Sequence, residues 1–176
     1  MIKKLLTVCC LLSLMTLCAA QEGKTKSEGK AKPDFNGTWL IDKSKSDYGR
    51  AEGTPIANAD ITMTVALSEP EFHVTRKMTL NGNEHVGELV FYTDGRGETN
   101  HALLGGGDLK TKTKWSGSKL VSKASISRRV REENFNIDIE EKWELSSDGK
   151  TLTDSFSMSG PNGTRAVKLV YTRAPQ

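Results

Sequence analysis

Between Phe135 and Leu145 the chain alternates almost without a break. Phe135, Ile137, Ile139, Trp143 and Leu145 form one row, Asn136, Asp138, Glu140, Lys142 and Glu144 the other, and Glu141 interrupts the apolar row. A period of two belongs to an extended strand, whose successive side chains point to opposite faces. The same pattern recurs over Ile61, Met63, Val65 and Leu67, and over Phe72, Val74, Met78 and Leu80, where Arg76 occupies an apolar position. Leu109, Thr111, Thr113 and Trp115 face away from Lys110, Lys112 and Lys114. Further strands are expected at about 85–93, 97–104, 118–130, 150–159 and 165–173. Between the segments stand Glu69-Pro70, Asn81-Gly82, Asp94-Gly95, Ser116-Gly117, Asp148-Gly149 and Asn162-Gly163, the chemistry of tight hairpin turns. Short turns between sequential strands give an antiparallel meander, and closing such a sheet removes its exposed edges. The fold expected is all-β, an antiparallel up-and-down β-barrel of about eight to ten strands formed by residues 34–176.

The first strand should begin at Phe35-Asn36-Gly37-Thr38-Trp39-Leu40, where Gly37 permits a tight entry and Trp39 offers a large ring to one end of the barrel. Residues 43–59 join it to the second strand and are expected to hold a helical turn around Lys45 to Tyr48. No internal repeat or second domain is evident.

The N-terminal 20 residues read differently. Lys3 and Lys4 precede an apolar run from Leu5 to Leu17, followed by Cys18-Ala19-Ala20, the pattern of a secretory signal cut before Gln21. A lipid anchor on Cys18 is the alternative, set against Leu17 at a position where a small residue is wanted. Residues 21–33 are polar and form a flexible tail in this reading. Cys9, Cys10 and Cys18 are the only cysteines, so the mature chain would hold none and its stability would come from the core alone. Loss of Lys3 and Lys4 leaves 23 basic against 22 acidic residues, and their interleaving implies no nucleic-acid partner. An exported protein, periplasmic or extracellular, without stable membrane insertion after signal removal, is expected.

These residues resemble the calycins, that is, lipocalins and fatty-acid-binding proteins, and most nearly exported bacterial lipocalin-like proteins. Phe35 to Leu40 is similar to their first-strand motif and Lys168-Leu169-Val170-Tyr171-Thr172-Arg173 to their last strand. The resemblance implies that Arg173 lies across Trp39 and closes the barrel. It implies a small hydrophobic or amphipathic ligand inside; no cofactor is expected. Fatty-acid-binding proteins commonly place an Arg-x-Tyr on the last strand to hold a carboxylate, whereas Leu169 stands two residues before Tyr171 here.

The interior candidates are Arg76, Glu141, Asp154, Thr111, Thr113 and Ser122, polar residues that fall in apolar rows. A charge inside a small barrel costs several kcal/mol unless paired or hydrated, so such residues are either a polar site for a ligand or are turned outward by a bulge. Three function classes stay open: a carrier, an enzyme using Glu141 and Asp154 as acid and base, and a filled barrel acting as an interaction module. His73, His85 and His101 lack metal-ligand spacing, and no metal is expected. Gly105 to Gly107 reads as a turn at the barrel rim, and the lysine row as the guard of an edge strand.

Overall fold

The computed structural model describes residues 32–101, 108–130 and 133–175. The signal and nearly all of the polar tail expected from the sequence, with every cysteine and the Gly105 to Gly107 turn, lie outside the described residues. Strands β1 (Gly37–Ile41), β2 (Asp60–Ser68), β3 (Glu71–Leu80), β4 (Asn83–Tyr92), β5 (Glu98–His101), β6 (Asp108–Ser116), β7 (Lys119–Val130), β8 (Glu133–Leu145), β9 (Thr151–Gly160) and β10 (Gly163–Arg173) follow one another along the chain. They form one antiparallel ten-stranded sheet in the order β4-β3-β2-β1-β10-β9-β8-β7-β6-β5, so that β1 and β10 pair and the barrel is nearly closed. Turn chemistry explains the connections: Asn81 and Gly82, Gly117, Gly149 and Gly163 all adopt positive φ at hairpin ends.

The register of β7 with β8 and of β8 with β9 runs unbroken past Glu141, from Leu120↔Trp143 through Ser122↔Glu141 and on to Glu141↔Phe156. No bulge turns Glu141 outward. It sits on the inner face with Trp143 and Phe156.

The connection after β1 departs from expectation. Residues 42–46 make a turn in which the Ser46 amide donates to the Asp42 carbonyl at 3.1 Å, and the helical pieces come later, as a 3-10 turn at Gly49–Ala51 and a single α-turn at Pro55–Asn58. Asp47 pairs with Lys168, so this connection runs along β10 beyond the end of β1, and the helical turn expected around Lys45 to Tyr48 falls earlier, at 42–46. Gly49 allows the approach: its φ is +51°, and a Cβ there would lie 2.7 Å from the Ala166 carbonyl oxygen.

The remaining gap lies between β4 and β5, which carry no backbone ladder to one another. Side chains stitch it. The Asn100 amide accepts from Val90 N–H and donates to the Val90 carbonyl, both at 2.8 Å, copying the two bonds of a neighbouring strand, while Glu98 accepts from Tyr92 N–H at 3.2 Å. Strand β6, with its lysine row, is paired on both sides and is not an edge. Its partner β5 covers only Asp108 to Thr111, however, and beyond that Lys114 meets Asp94 in an isolated bridge.

Candidate functional site

The interior divides into two halves. The lower half is where both termini of the barrel and the β2–β3, β6–β7 and β8–β9 turns meet. Phe35 is wholly buried, stacks on Trp115 at 5.7 Å and meets Phe72 edge-on at 5.9 Å. Phe72 and Phe91 both pack on Trp143, at 4.4 and 5.1 Å. Trp39 is also wholly buried, and its indole N–H donates to the Phe35 carbonyl at 2.9 Å. The guanidinium of Arg173 lies 4.3 Å over the Trp39 ring and donates to the carbonyls of Asn36, Asp34 and Gly149. This geometry requires Gly37, at φ +123°, where a Cβ would come within 2.9 Å of Arg173 Nη1. Glu69 completes the rim: partial burial disfavours its charge, yet hydrogen bonds from Thr93, Lys32 and Trp115 together hold its carboxyl below the usual range.

Above the level of Arg76 the interior is uneven: Ile61 and Met78, paired across β2 and β3, stay buried in the core, whereas the apolar residues of β7, β8 and β9 are in a different state. Ile126, Ile137, Ile139, Phe156 and Met158 occupy the inner face by register, opposite one another or opposite Ala124 and Val167, and are only half-buried. None of those five belongs to the packed core cluster. They form an apolar wall that is not sealed from solvent.

Polar residues separate the two halves. Arg76, from β3, donates through a single nitrogen, Nη2, to Glu141 Oε1 of β8 at 2.5 Å and to Asp154 Oδ2 of β9 at 2.8 Å. Its guanidinium lies 5.9 Å over the Trp143 ring. Side-chain exposure falls from 20% for Arg76 through 11% for Glu141 to 2% for Asp154, so Asp154 stands behind the other two. Burial raises the Asp154 pKa well above 3.8, the nearby Glu141 carboxyl raises it further, and Arg76 and Trp143 oppose the shift. The Arg76 charge is favoured in turn by Glu141 and Asp154 against its own burial, and stays protonated. Burial also pushes the Tyr171 hydroxyl upward, against the pull of Arg76. Arg76 Nε, Asp154 Oδ1, Trp143 Nε1, Tyr171 Oη and Tyr48 Oη are sealed from solvent without a hydrogen bond to another described group.

The other expected interior residues sit in a second cluster beside the β4–β5 gap. Thr111 and Thr113 both donate to Glu98 Oε1, at 2.5 and 3.0 Å, and Asn100 donates to Thr111 Oγ1 at 3.5 Å. Thr113, Ser122 and Glu141 lie opposite one another in turn across β6, β7 and β8, and this row links the two clusters. Sequence reasoning did not single out Glu98 and Asn100. They alternate in step with the inner face of a strand only four residues long, too short for a legible period. The histidines stay apart: His73 pairs with Glu71 at 3.0 Å and His101 with Asp108 at 2.6 Å, both at the surface. Among the described residues no helix is long and apolar enough to cross a membrane.

No protein-family model and no curated sequence matches the chain. Solved structures do. A REP1-NXSQ fatty acid transporter is 13% identical with a TM-score of 0.57, over 80% of this chain and 96% of its own. The zebrafish ileal bile acid-binding protein complexed with cholic acid is 17% identical with a TM-score of 0.56, over 80% and 98%. A secretory abundant heat soluble protein from Ramazzottius varieornatus is 15% identical with a TM-score of 0.55, over 84% and 100%. The fold is therefore a calycin-like barrel, similar to those of these proteins.

Proposed function

We propose that this protein is an exported carrier that holds a small hydrophobic or amphipathic molecule in the upper half of its barrel. One observation carries the reading: Ile126, Ile137, Ile139, Phe156 and Met158 face inward yet stay half-buried, above a floor that is filled. An inward apolar wall without a packed partner suits an apolar ligand, and the Arg76, Glu141 and Asp154 cluster at its base suits a polar head. The named ligands of the similar structures, fatty acids and cholic acid, support the same class of molecule. Export rests on the pattern of residues 1–20, and the barrel's independence of disulfides agrees with it.

The test is a titration of the folded protein with an environment-sensitive lipophilic fluorophore. Saturable enhancement at one probe per chain, reversed by a long-chain amphiphile and altered by Arg76→Met, is the expected result. Absence of saturable binding to the folded protein would remove the carrier reading.

A further inference from the structure

The charge arrangement at the base of the apolar wall carries more than a general preference for amphiphiles. Arg76 is the one cation of its cluster, and it faces two carboxyl groups. With both ionised the cluster carries a net negative charge; with a proton on Asp154 it is neutral. Neither state has a surplus positive charge to offer. A carboxylate entering this space would add a further negative charge to a desolvated site, where an unpaired charge is costly.

The reachable atoms narrow the choice further. Both ion-pair bonds use Arg76 Nη2, one to Glu141 Oε1 and the other to Asp154 Oδ2, so Arg76 Nη1 and Glu141 Oε2 take part in neither. Unlike Arg76 Nε and Asp154 Oδ1, neither is among the unpartnered atoms sealed from solvent. A donor and an acceptor belonging to one ion pair thus stand at the foot of an apolar wall. A hydroxyl group accepts from one and donates to the other. A carboxylate can use only the donor, and an ammonium only the acceptor while crowding the guanidinium.

We propose that this cavity selects an amphiphile with an uncharged donor–acceptor head group, such as a long-chain alcohol, and discriminates against a long-chain carboxylate. The inference rests on the carrier reading and adds the head-group class to it.

Displacement of a bound lipophilic fluorophore by dodecanol, dodecanoate and dodecylamine at neutral pH tests it. The wild type should bind dodecanol more tightly than dodecanoate by about tenfold or more, and more tightly than dodecylamine. The double variant Glu141→Gln/Asp154→Asn leaves Arg76 as an unbalanced cation and should reverse the order, with dodecanoate gaining about tenfold or more. Dodecanoate or dodecylamine bound as tightly as dodecanol by the wild type overturns the head-group inference and leaves the carrier reading standing. The same holds if the folded double variant gains nothing for dodecanoate. If the fluorophore and all three amphiphiles fail to bind the folded wild type, both readings fall. The wild-type comparison decides the matter whether or not the double variant folds.

Discussion

The two halves of the barrel are built from similar residue types and differ in what those residues touch. Below the Arg76 cluster, Phe35, Trp39, Phe72, Leu120, Leu152 and Tyr171 are each at most 1% exposed and share one continuous core. Above it, Ile126, Ile137, Ile139, Phe156 and Met158 are half-buried and outside that core. Alternation places both sets on the inner face, but only the lower set packs against the rings of Phe35, from the N-terminal segment, and of Phe91, Trp115 and Trp143, from the strands. Cohesion is therefore concentrated at the lower end and on the β2–β3 side, where Ala59, Ile61 and Met78 continue the core, which leaves the β7–β9 side of the upper end available to a ligand.

The largest effect should come from the floor. Trp39→Ala removes a wholly buried ring together with its bond to the Phe35 carbonyl, and should cost about 3–5 kcal/mol in denaturant unfolding. A loss no greater than that of an upper-half residue would erase the distinction between the halves. Arg173→Ala should follow at about 2 kcal/mol, because it removes both the cation over Trp39 and hydrogen bonds to three carbonyls. Lys112→Ala, at an exposed position, should change stability by no more than about 0.5 kcal/mol and serves as the reference.

The boundary between the halves should reveal itself through pH. The folded state holds the Asp154 proton more tightly than the unfolded chain does, so this group's contribution to stability is fully present below its unfolded value near 3.8. It declines as pH rises from there toward the raised folded value. Comparing wild type with Asp154→Asn across that window, the wild type should lose stability relative to the variant as pH rises, by at most about 1.4 kcal/mol per pH unit. A wild type that gains on the variant with rising pH would mean that Arg76 holds Asp154 ionised. Among the interior residues the smallest effect belongs to the upper half: Ile139→Ala should cost about 1 kcal/mol or less, below the 2–5 kcal/mol typical of a packed aliphatic core residue, while weakening probe binding. A cost in the packed-core range would show that the wall is filled.

The sequence made the strands and the inward row legible because a period of two, broken by Asn-Gly and Asp-Gly pairs, is a local property. The positions of Arg76 and Glu141 could be read the same way, as charges out of place in an apolar row. Their meeting with Asp154 depends on the barrel's closure, which brings β3 across from β8 and β9 and is not written in any one segment. Nor could alternation distinguish Phe72, sealed against Trp143, from Phe156, which is half-buried; the difference lies in what packs from above and below. The stitching of β4 to β5 by Asn100 and Glu98 escaped notice for another reason. A side chain that replaces a backbone ladder leaves no period at all.

An upper half that is open space beside the apolar side chains of β7, β8 and β9 can be filled by a larger side chain without loss of the fold. Ile139→Trp adds a large ring to that wall, and the protein's melting temperature and its binding of a lipophilic fluorophore are then measured together. If the space is open, the variant should keep or raise its melting temperature while its affinity for the fluorophore falls about tenfold or more. If the upper half is packed instead, the added volume should cost about 1–3 kcal/mol of stability, and fluorophore binding, where present, should be unaffected; that pair of results would show that no ligand space exists there.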